Sequence, residues 1–93
     1  MNLAQFPVYT VSQINGYLKE LLEADPLLQS LLIRGEISNY KRYPSGHHYF
    51  SLKDEKGSMR CVLFRGDAAR LRFQPANGVS VLAFGRISVF PRD

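Results

Sequence analysis

The stretch LLIRGEISNYKRYPSGHHYFSLK, residues 31–53, alternates apolar and polar side chains in two runs separated by a short interruption. In the first run, one side of an extended chain carries Leu31, Ile33, Gly35 and Ile37, and the other side carries Leu32, Arg34, Glu36 and Ser38. A period of two is typical of a strand that buries one face. The interruption at 43–46, Tyr-Pro-Ser-Gly, is a cluster of turn-forming residues. The stretch therefore predicts two strands joined by a turn.

Two further strands are predicted downstream of this pair. Residues 58–65 form a third alternating run, and a fourth follows from Val79 to about Phe90. Between them, Asp67 is placed to cap a short helix that runs to Phe73. Two glycines fall inside predicted strands, where a small barrel needs bends or bulges: Gly35 and Gly85.

An amphipathic helix is predicted upstream of the strands. Thr10 and Gln13 fit a capping box, so the helix should begin at Val11, and the Asp25-Pro26 pair should stop it. Apolar residues recur at helical spacing along one side: Val11, Ile14, Leu18, Leu21 and Leu22. A docking surface for a partner would show the same pattern, but we expect this stripe to cover the core of its own domain.

This order of elements predicts a mainly β protein with an N-terminal helix and, more specifically, an oligonucleotide-binding (OB) fold. That fold is a five-stranded Greek-key barrel, and a helix typically connects its third and fourth strands. We expect an N-terminal segment over residues 1–30 and the OB-fold domain over residues 31–93. The fifth strand would begin after residues 91–93, so we expect the chain to be a truncated piece of a longer protein.

Composition narrows the class of protein and its compartment. The 93 residues have room for one small domain. The single cysteine, Cys61, excludes an intrachain disulfide, and we expect a reducing compartment, the cytoplasm. Apolar runs fall far short of the ~20 residues that span a bilayer, so no membrane partner is expected.

The charge is unevenly distributed along the chain. Residues 1–30 carry one basic and three acidic side chains, whereas residues 31–93 carry eleven basic and five acidic ones. The basic residues therefore lie mainly in the predicted barrel. This charge distribution, taken alone, is weak support for a polyanionic ligand.

No catalytic, metal-binding or cofactor site is predicted in this segment. Asp54 and Glu55 are adjacent, as are His47 and His48, and neighbours on an extended chain point in opposite directions. No third ligand stands at metal-binding spacing. Cys61 alternates with apolar residues and is expected to be a small buried side chain rather than a nucleophile.

A nucleic-acid site is predicted where basic and aromatic residues are interleaved, on the early strands and their connections. Bases stack on aromatic faces while Lys and Arg neutralise phosphates, which is how single strands are held. The candidate residues are Tyr40, Lys41, Arg42, Tyr43, His47, Tyr49, Lys53, Arg60 and Arg65. The alternative is a solvated basic face whose tyrosines cover barrel edges, and OB folds also bind sugars and proteins.

Several segments, in order, resemble the amino-terminal domain of the bacterial exodeoxyribonuclease VII large subunit. They are YTVSQIN at 9–15, DPL at 25–27, RGEISNY at 34–40, SGHHYFSLKD at 45–54, RCVLFRG at 60–66 and GRISV at 85–89. The chain departs from the family pattern at Leu32 and Ile33, where many members have an aromatic residue before Arg34. This departure indicates altered packing and puts no binding function in doubt.

The resemblance implies a module that binds single-stranded DNA within a nuclease subunit. That subunit degrades single-stranded DNA from both ends to oligonucleotides with 5′-phosphates. In the family, the active site lies in a following middle domain, and the carboxy-terminal helices bind several copies of a small subunit. No catalytic residue can therefore be assigned in this chain, and the metal requirement of the full enzyme stays open.

Two other functions remain open from the residues. One is an RNA-binding OB domain of the tRNA-anticodon type, against which the capped Tyr-Thr-Val-Ser-Gln start argues. The other is an OB domain used only for protein contacts. Without a fifth strand the barrel has open edges, so we also expect strand exchange or edge pairing between copies of this chain.

Overall fold

The computed structural model describes residues 2–90 of the chain. Its elements, in order, are a 3₁₀ turn at Leu3–Gln5, helices α1 (Val11–Glu23) and α2 (Pro26–Gln29), strands β1 (Leu31–Arg42), β2 (His48–Lys53) and β3 (Ser58–Leu63), helix α3 (Arg65–Ala68) and strand β4 (Ser80–Gly85). Over residues 2–90 the strands form one sheet in the order β3-β2-β1-β4. The predicted mainly β fold with a leading helix is confirmed. In the described part of the chain, no helix has the length and apolar character needed to cross a membrane.

The start of α1 is confirmed down to its hydrogen bonds. The backbone N–H of Gln13 donates to Thr10 Oγ1 at 3.1 Å, and the N–H of Thr10 donates to Gln13 Oε1 at 2.8 Å. The predicted stop also begins a second helix, which we did not predict. The Asp25 carboxylate accepts from the N–H of Leu27 at 3.0 Å, and Pro26 opens α2. Proline suits the first helical position because its missing N–H has no partner there.

The apolar side of α1 departs from our expectation. No residue of α1 is buried, and Val11 and Leu21 are 78% and 52% exposed. The helix belongs to a compact unit made of the described residues up to Leu31 and from Phe84 onward. Within that unit it can pack only on the one-turn α2 and the terminal segment, too little surface to bury its whole apolar stripe.

Contacts within this N-terminal unit explain why β4 ends where it does. We predicted a strand to about Phe90, but β4 ends at Gly85. The following residues bond to the N-terminal helices instead: the N–H of Ile87 donates to the carbonyl of Leu28 at 2.8 Å, and Arg86 lies 3.8 Å from the Glu23 carboxylate. The predicted fifth-strand connection, residues 91–93, lies outside the described residues.

The second compact unit, Leu32–Ala83, contains most of the sheet. Ile37 on β1 lies directly opposite Leu52 on β2, and each is 3% exposed. Gly35 serves this packing, since a Cβ there would lie 3.2 Å from Leu52 Cβ. The predicted domain bounds, 1–30 and 31–93, stay a prediction, because compact units reflect contacts whereas domains fold independently.

The irregularity in β1 lies at Asn39 rather than at a glycine. The β1–β2 register shifts between Ser38 and Lys41, and Asn39 has φ +52°. The bends or bulges predicted at Gly35 and Gly85 stay a prediction. Asn tolerates the left-handed region because its short polar side chain can bond locally.

Helix α3 is shorter and earlier than predicted. It covers Arg65–Ala68, with Phe64 at the N-cap and no side-chain cap, so the assignment of Asp67 as the cap was wrong. Without a cap, and with Gly66 inside it, the helix lacks the local support that propagation needs. Turns follow it, in which the N–H of Leu71 bonds to the carbonyl of Ala68 at 3.3 Å.

Candidate nucleic-acid interface

The strand register decides which candidate residues share a side of the sheet. Directly paired residues of antiparallel strands point to the same side. Lys41 pairs with Tyr49, and Ser51, two residues along β2, pairs with Arg60. Lys53 follows on the same side by alternation. One side of the three strands β1, β2 and β3 therefore presents both aromatic and cationic side chains.

Two tyrosines form the aromatic part of this side. The rings of Tyr43 and Tyr49 meet edge to face with centroids 4.9 Å apart and planes at 85°. Such pairs are favoured because a positive ring edge meets a negative ring face. Tyr43 is 47% exposed, so part of the pair is open to a stacking partner. We call Lys41, Tyr43, Tyr49, Lys53 and Arg60 the Tyr49 face.

The cationic side chains of the Tyr49 face are mostly available to bind phosphates. Lys53 lies 3.6 Å from the Glu36 carboxylate, with both side chains about half exposed. Exposed pairs of this kind contribute about 0–1 kcal/mol, so Lys53 can exchange Glu36 for a phosphate at little cost. Among residues 2–90, no ion pair occupies Lys41 or Arg60.

Tyr40 and Arg42 lie on the opposite side of the sheet. Arg42 pairs with His48, and the Tyr40 ring lies 5.4 Å from the His48 ring and 6.1 Å from Phe50. The Tyr40 hydroxyl is hydrogen-bonded to His48 Nδ1, and the Arg42 guanidinium donates to Gln74 Oε1. These two candidates are therefore separated from the Tyr49 face by the sheet itself.

The bulge at Asn39 causes this separation. Without the extra residue, Tyr40 would pair with Tyr49, and Lys41 would pair with His48. A shift of one residue exchanges the two sides of a strand, so the bulge moves Lys41 to the Tyr49 face and Tyr40 away from it.

His47 and Arg65 meet at the turn between β1 and β2. The backbone N–H of Arg65 donates to His47 Nδ1 at 2.9 Å, and the His47 ring contacts Phe64 edge to face at 5.5 Å. Gly46 has φ +91°, and a Cβ there would lie 2.8 Å from Arg65 Cγ. The turn thus holds the start of α3 and the stem of Arg65.

Two titratable groups on the side of the sheet opposite the Tyr49 face are kept in their neutral forms. Burial, with a smaller contribution from the Arg42 charge, lowers the pKa of His48 below its ordinary value. Burial raises the pKa of the Cys61 thiol, which disfavours the nucleophilic thiolate. In the described part of the chain, no group of three or more His, Cys, Asp or Glu is placed to hold a metal ion.

The nine predicted site residues therefore divide into three groups. Five residues share the Tyr49 face, and two, Tyr40 and Arg42, lie on the opposite side of the sheet. The last two, His47 and Arg65, meet at the turn between β1 and β2. Sequence reasoning did not include Gln74, the partner of Arg42. The two are 32 residues apart, and no local pattern relates them.

Comparison with known proteins shows the family of the chain. Residues 9–93 match the model of a family described as "OB-fold nucleic acid binding domain". The chain is 51% identical over 86 residues to the exodeoxyribonuclease 7 large subunit of Ruminiclostridium cellulolyticum, covering 92% of this chain and 21% of that protein. The same-named protein of Clostridium acetobutylicum is 46% identical over 86 residues, with coverages of 92% and 22%.

A third relative, from Alkaliphilus oremlandii, has the same name and is 40% identical over 89 residues, covering 96% of this chain and 22% of that protein. The chain thus spans about a fifth of the length of the curated relatives it matches. The similarity supports the nuclease-associated OB domain over the tRNA-anticodon alternative.

Proposed function

We propose, since the chain belongs to the family of OB-fold nucleic acid binding domains, that it is the single-stranded DNA-binding module of an exodeoxyribonuclease VII-type large subunit. The parent protein would degrade single-stranded DNA from both ends to oligonucleotides with 5′-phosphates. The names of the relatives support an exodeoxyribonuclease activity for the parent. The module itself contributes affinity and not bond cleavage.

The observation that carries the proposal is the composition of the Tyr49 face. An edge-to-face tyrosine pair lies beside three cations on one side of a sheet. Bases stack on aromatic rings with about 1–3 kcal/mol each, largely without regard to sequence. The cations neutralise phosphates and release counterions. A single strand offers both groups at once, whereas a duplex hides its base faces.

The cellular setting of the parent follows from the same proposal. It acts in the cytoplasm and binds the exodeoxyribonuclease VII small subunit through regions outside this chain. Strand exchange or edge pairing between copies is a property that we propose for this chain, because the sheet leaves β3 and β4 at its edges.

The proposal is tested by fluorescence anisotropy with single-stranded DNA, duplex DNA and single-stranded RNA at two salt concentrations. We expect salt-sensitive preference for single-stranded DNA. Preference for structured RNA would favour the anticodon-type function instead. Absence of binding to all three would reject the nucleic-acid proposal and favour protein contacts.

Two variants test the Tyr49 face itself. Tyr49→Ala should weaken binding of all sequences alike, by about 1–3 kcal/mol. Tyr17→Ala, at a position of α1 that is 59% exposed, is the matched control. The double variant Lys41→Ala/Arg60→Ala should reduce the slope of log K against log salt by about 1.4, that is, about 0.7 for each phosphate that is no longer neutralised. An unchanged slope would remove both cations from the interface.

A further inference from the structure

A cavity of about 320 Å³ opens beside the turn between β1 and β2, on the side of the sheet opposite the Tyr49 face. Strands β1 and β2 contribute Arg42 and His48, the turn between them contributes Gly46, and the chain from α3 onward supplies the rest of the wall. Its main side chains are those of Arg42, His48, Arg65, Leu71, Phe73 and Gln74. We call it the hairpin cavity. All of its lining lies within one compact unit, Leu32–Ala83.

Counting only residues 2–90, the lining carries two guanidinium groups and no carboxylate. Within the described residues, neither Arg42 nor Arg65 has an acidic partner within 4 Å. Two unpaired guanidinium groups facing one cavity repel each other, and an anion between them removes that repulsion. Arginine is also the side chain best shaped to donate to phosphate oxygens in pairs.

Both arginines are held in place by their surroundings. Arg42 donates to Gln74 and lies 5.9 Å over the Tyr40 ring. Arg65 is anchored through its N–H to His47, and its stem packs over Gly46 where a side chain would not fit. Donors fixed before a ligand arrives lose less conformational freedom on binding.

Part of the remaining lining is apolar. Leu71, Phe73 and Pro75 line the wall, and Phe73 is 52% exposed. An exposed aromatic ring beside two cations matches the chemistry of a nucleotide, which has a flat base and an anionic phosphate. A free inorganic anion would use only the cations and leave this wall empty.

We propose that the hairpin cavity binds the phosphorylated terminal nucleotide of a DNA strand, with the phosphate on Arg42 and Arg65 and the base against Phe73. The inference rests on the proposed function, since its ligand is a DNA strand of the kind that we propose for the Tyr49 face. A terminal phosphate monoester carries a charge of about −1.5 to −2 at pH 7, whereas an internal phosphodiester carries a single charge. Two cations without acidic partners therefore match the strand end better than its interior.

His48 suits this role as a neutral donor. Its lowered pKa keeps the ring uncharged near neutral pH, and its Nδ1 is engaged with the Tyr40 hydroxyl. If Nδ1 accepts that proton, the remaining ring proton is on Nε2. The cavity then offers a third hydrogen-bond donor without a third charge.

The test compares oligonucleotides of one sequence with a 5′-phosphate, a 3′-phosphate or hydroxyl groups at both ends, by anisotropy on the full 93-residue chain. We expect one terminal phosphate to tighten binding about tenfold, the scale of one or two charge-assisted hydrogen bonds. Arg65→Gln should abolish that preference, so that strands with and without a terminal phosphate bind with equal affinity. Arg70→Gln, an exposed arginine outside the lining, should keep the preference.

A second measurement separates this inference from the proposed function. Titration of thymidine 5′-monophosphate, with inorganic phosphate in parallel, is followed by ¹H–¹⁵N NMR of the same chain. Chemical-shift changes at Arg42, Arg65 and Phe73 that are larger for the nucleotide than for phosphate would support nucleotide binding in the hairpin cavity. Changes with inorganic phosphate alone would show that the cavity is only an anion site and would overturn the proposal. Binding of all strands with equal affinity would reject the proposal for the hairpin cavity and would leave the proposed function of the Tyr49 face unaffected. If no strand binds and the nucleotide causes no shifts, both proposals fail.

Discussion

Asn39 is the residue on which the arrangement of the candidate sites depends. Its backbone, at φ +52°, accommodates the extra residue of the β1 bulge. That extra residue places Lys41 beside Tyr49 and Arg42 beside His48. One residue in an uncommon conformation thereby assigns neighbouring cations to two different surfaces.

Replacing Asn39 tests this dependence. A β-branched side chain is strained at positive φ, so Asn39→Val should destabilise the fold by about 1–2 kcal/mol. Asn39→Gly, which adopts the same conformation freely, should stay close to the wild type. Urea denaturation measures both. Equal stability of the Val and Gly variants would mean that the bulge does not need the left-handed conformation.

His48 should give the chain a stability that depends on pH. Its pKa is lowered in the folded state, so below about pH 6.5 the unfolded chain takes up the proton more readily. The wild type therefore loses stability as the pH falls from about 6.5 to the folded-state pKa, and the loss then levels off. His48→Gln should lack this component. The measurement is the difference in unfolding free energy between wild type and variant at about pH 8 and pH 5. A difference independent of pH would contradict the expectation.

At the scale of elements, the sheet formed by residues 2–90 leaves two strands without a second neighbouring strand. Over the described residues the order β3-β2-β1-β4 places β3 at one edge and β4 at the other. Edge strands present unpaired N–H and C=O groups that recruit further strands. In the five-stranded OB barrel, the fifth strand would lie between these two and satisfy both edges.

Self-association through β3 follows from this arrangement. The chain should form dimers at raised concentration, as measured by sedimentation equilibrium. Met59→Lys places a charge on β3 at a position that is 41% exposed, where it should be tolerated, and it should reduce the association. Ser58→Thr, a neutral change in the same strand, serves as the control. A wild-type chain that stays monomeric at every concentration would refute edge pairing.

At the scale of the whole molecule, the chain has a small core and a large exposed apolar surface. Among the described residues, the buried apolar side chains are Ile37 and Leu52, while much of the apolar side of α1 is exposed. A small core leaves little net stability after the cost of ordering the chain. A ligand that binds only the folded state then has a large effect on the melting temperature.

Thermal unfolding with single-stranded DNA measures that effect. At low salt, excess DNA should raise the melting temperature, with about 2.7 kcal/mol of stabilisation at one hundred times Kd. High salt should remove most of the shift, because the cations act by releasing counterions. Tyr49→Ala should reduce the shift and Tyr17→Ala should preserve it. A shift that is unaffected by both salt and Tyr49→Ala would place the DNA elsewhere on the chain.

Local patterns in the sequence predict the elements that depend on near neighbours. The capping box of Thr10 and Gln13 set the start of α1, because its hydrogen bonds join residues three apart. Alternation predicted β1, β2 and most of β3, since each strand buries one side of a sheet. The choice of basic and aromatic candidates also came from the sequence, because the chemistry of each side chain is local.

Contacts between residues far apart in the sequence decided the features that local patterns did not predict. The fourth strand ended early because residues after Gly85 bond to the N-terminal helices, and α3 shifted because Phe64 and Arg65 are held by His47. The side of the sheet on which each candidate lies depends on a register that the alternation of β1 alone cannot reveal. By itself the sequence determined which basic and aromatic side chains are candidates for binding nucleic acid and which local elements present them. Only the tertiary structure decided which of them share a surface, because a bulge is defined by the pairing of two strands.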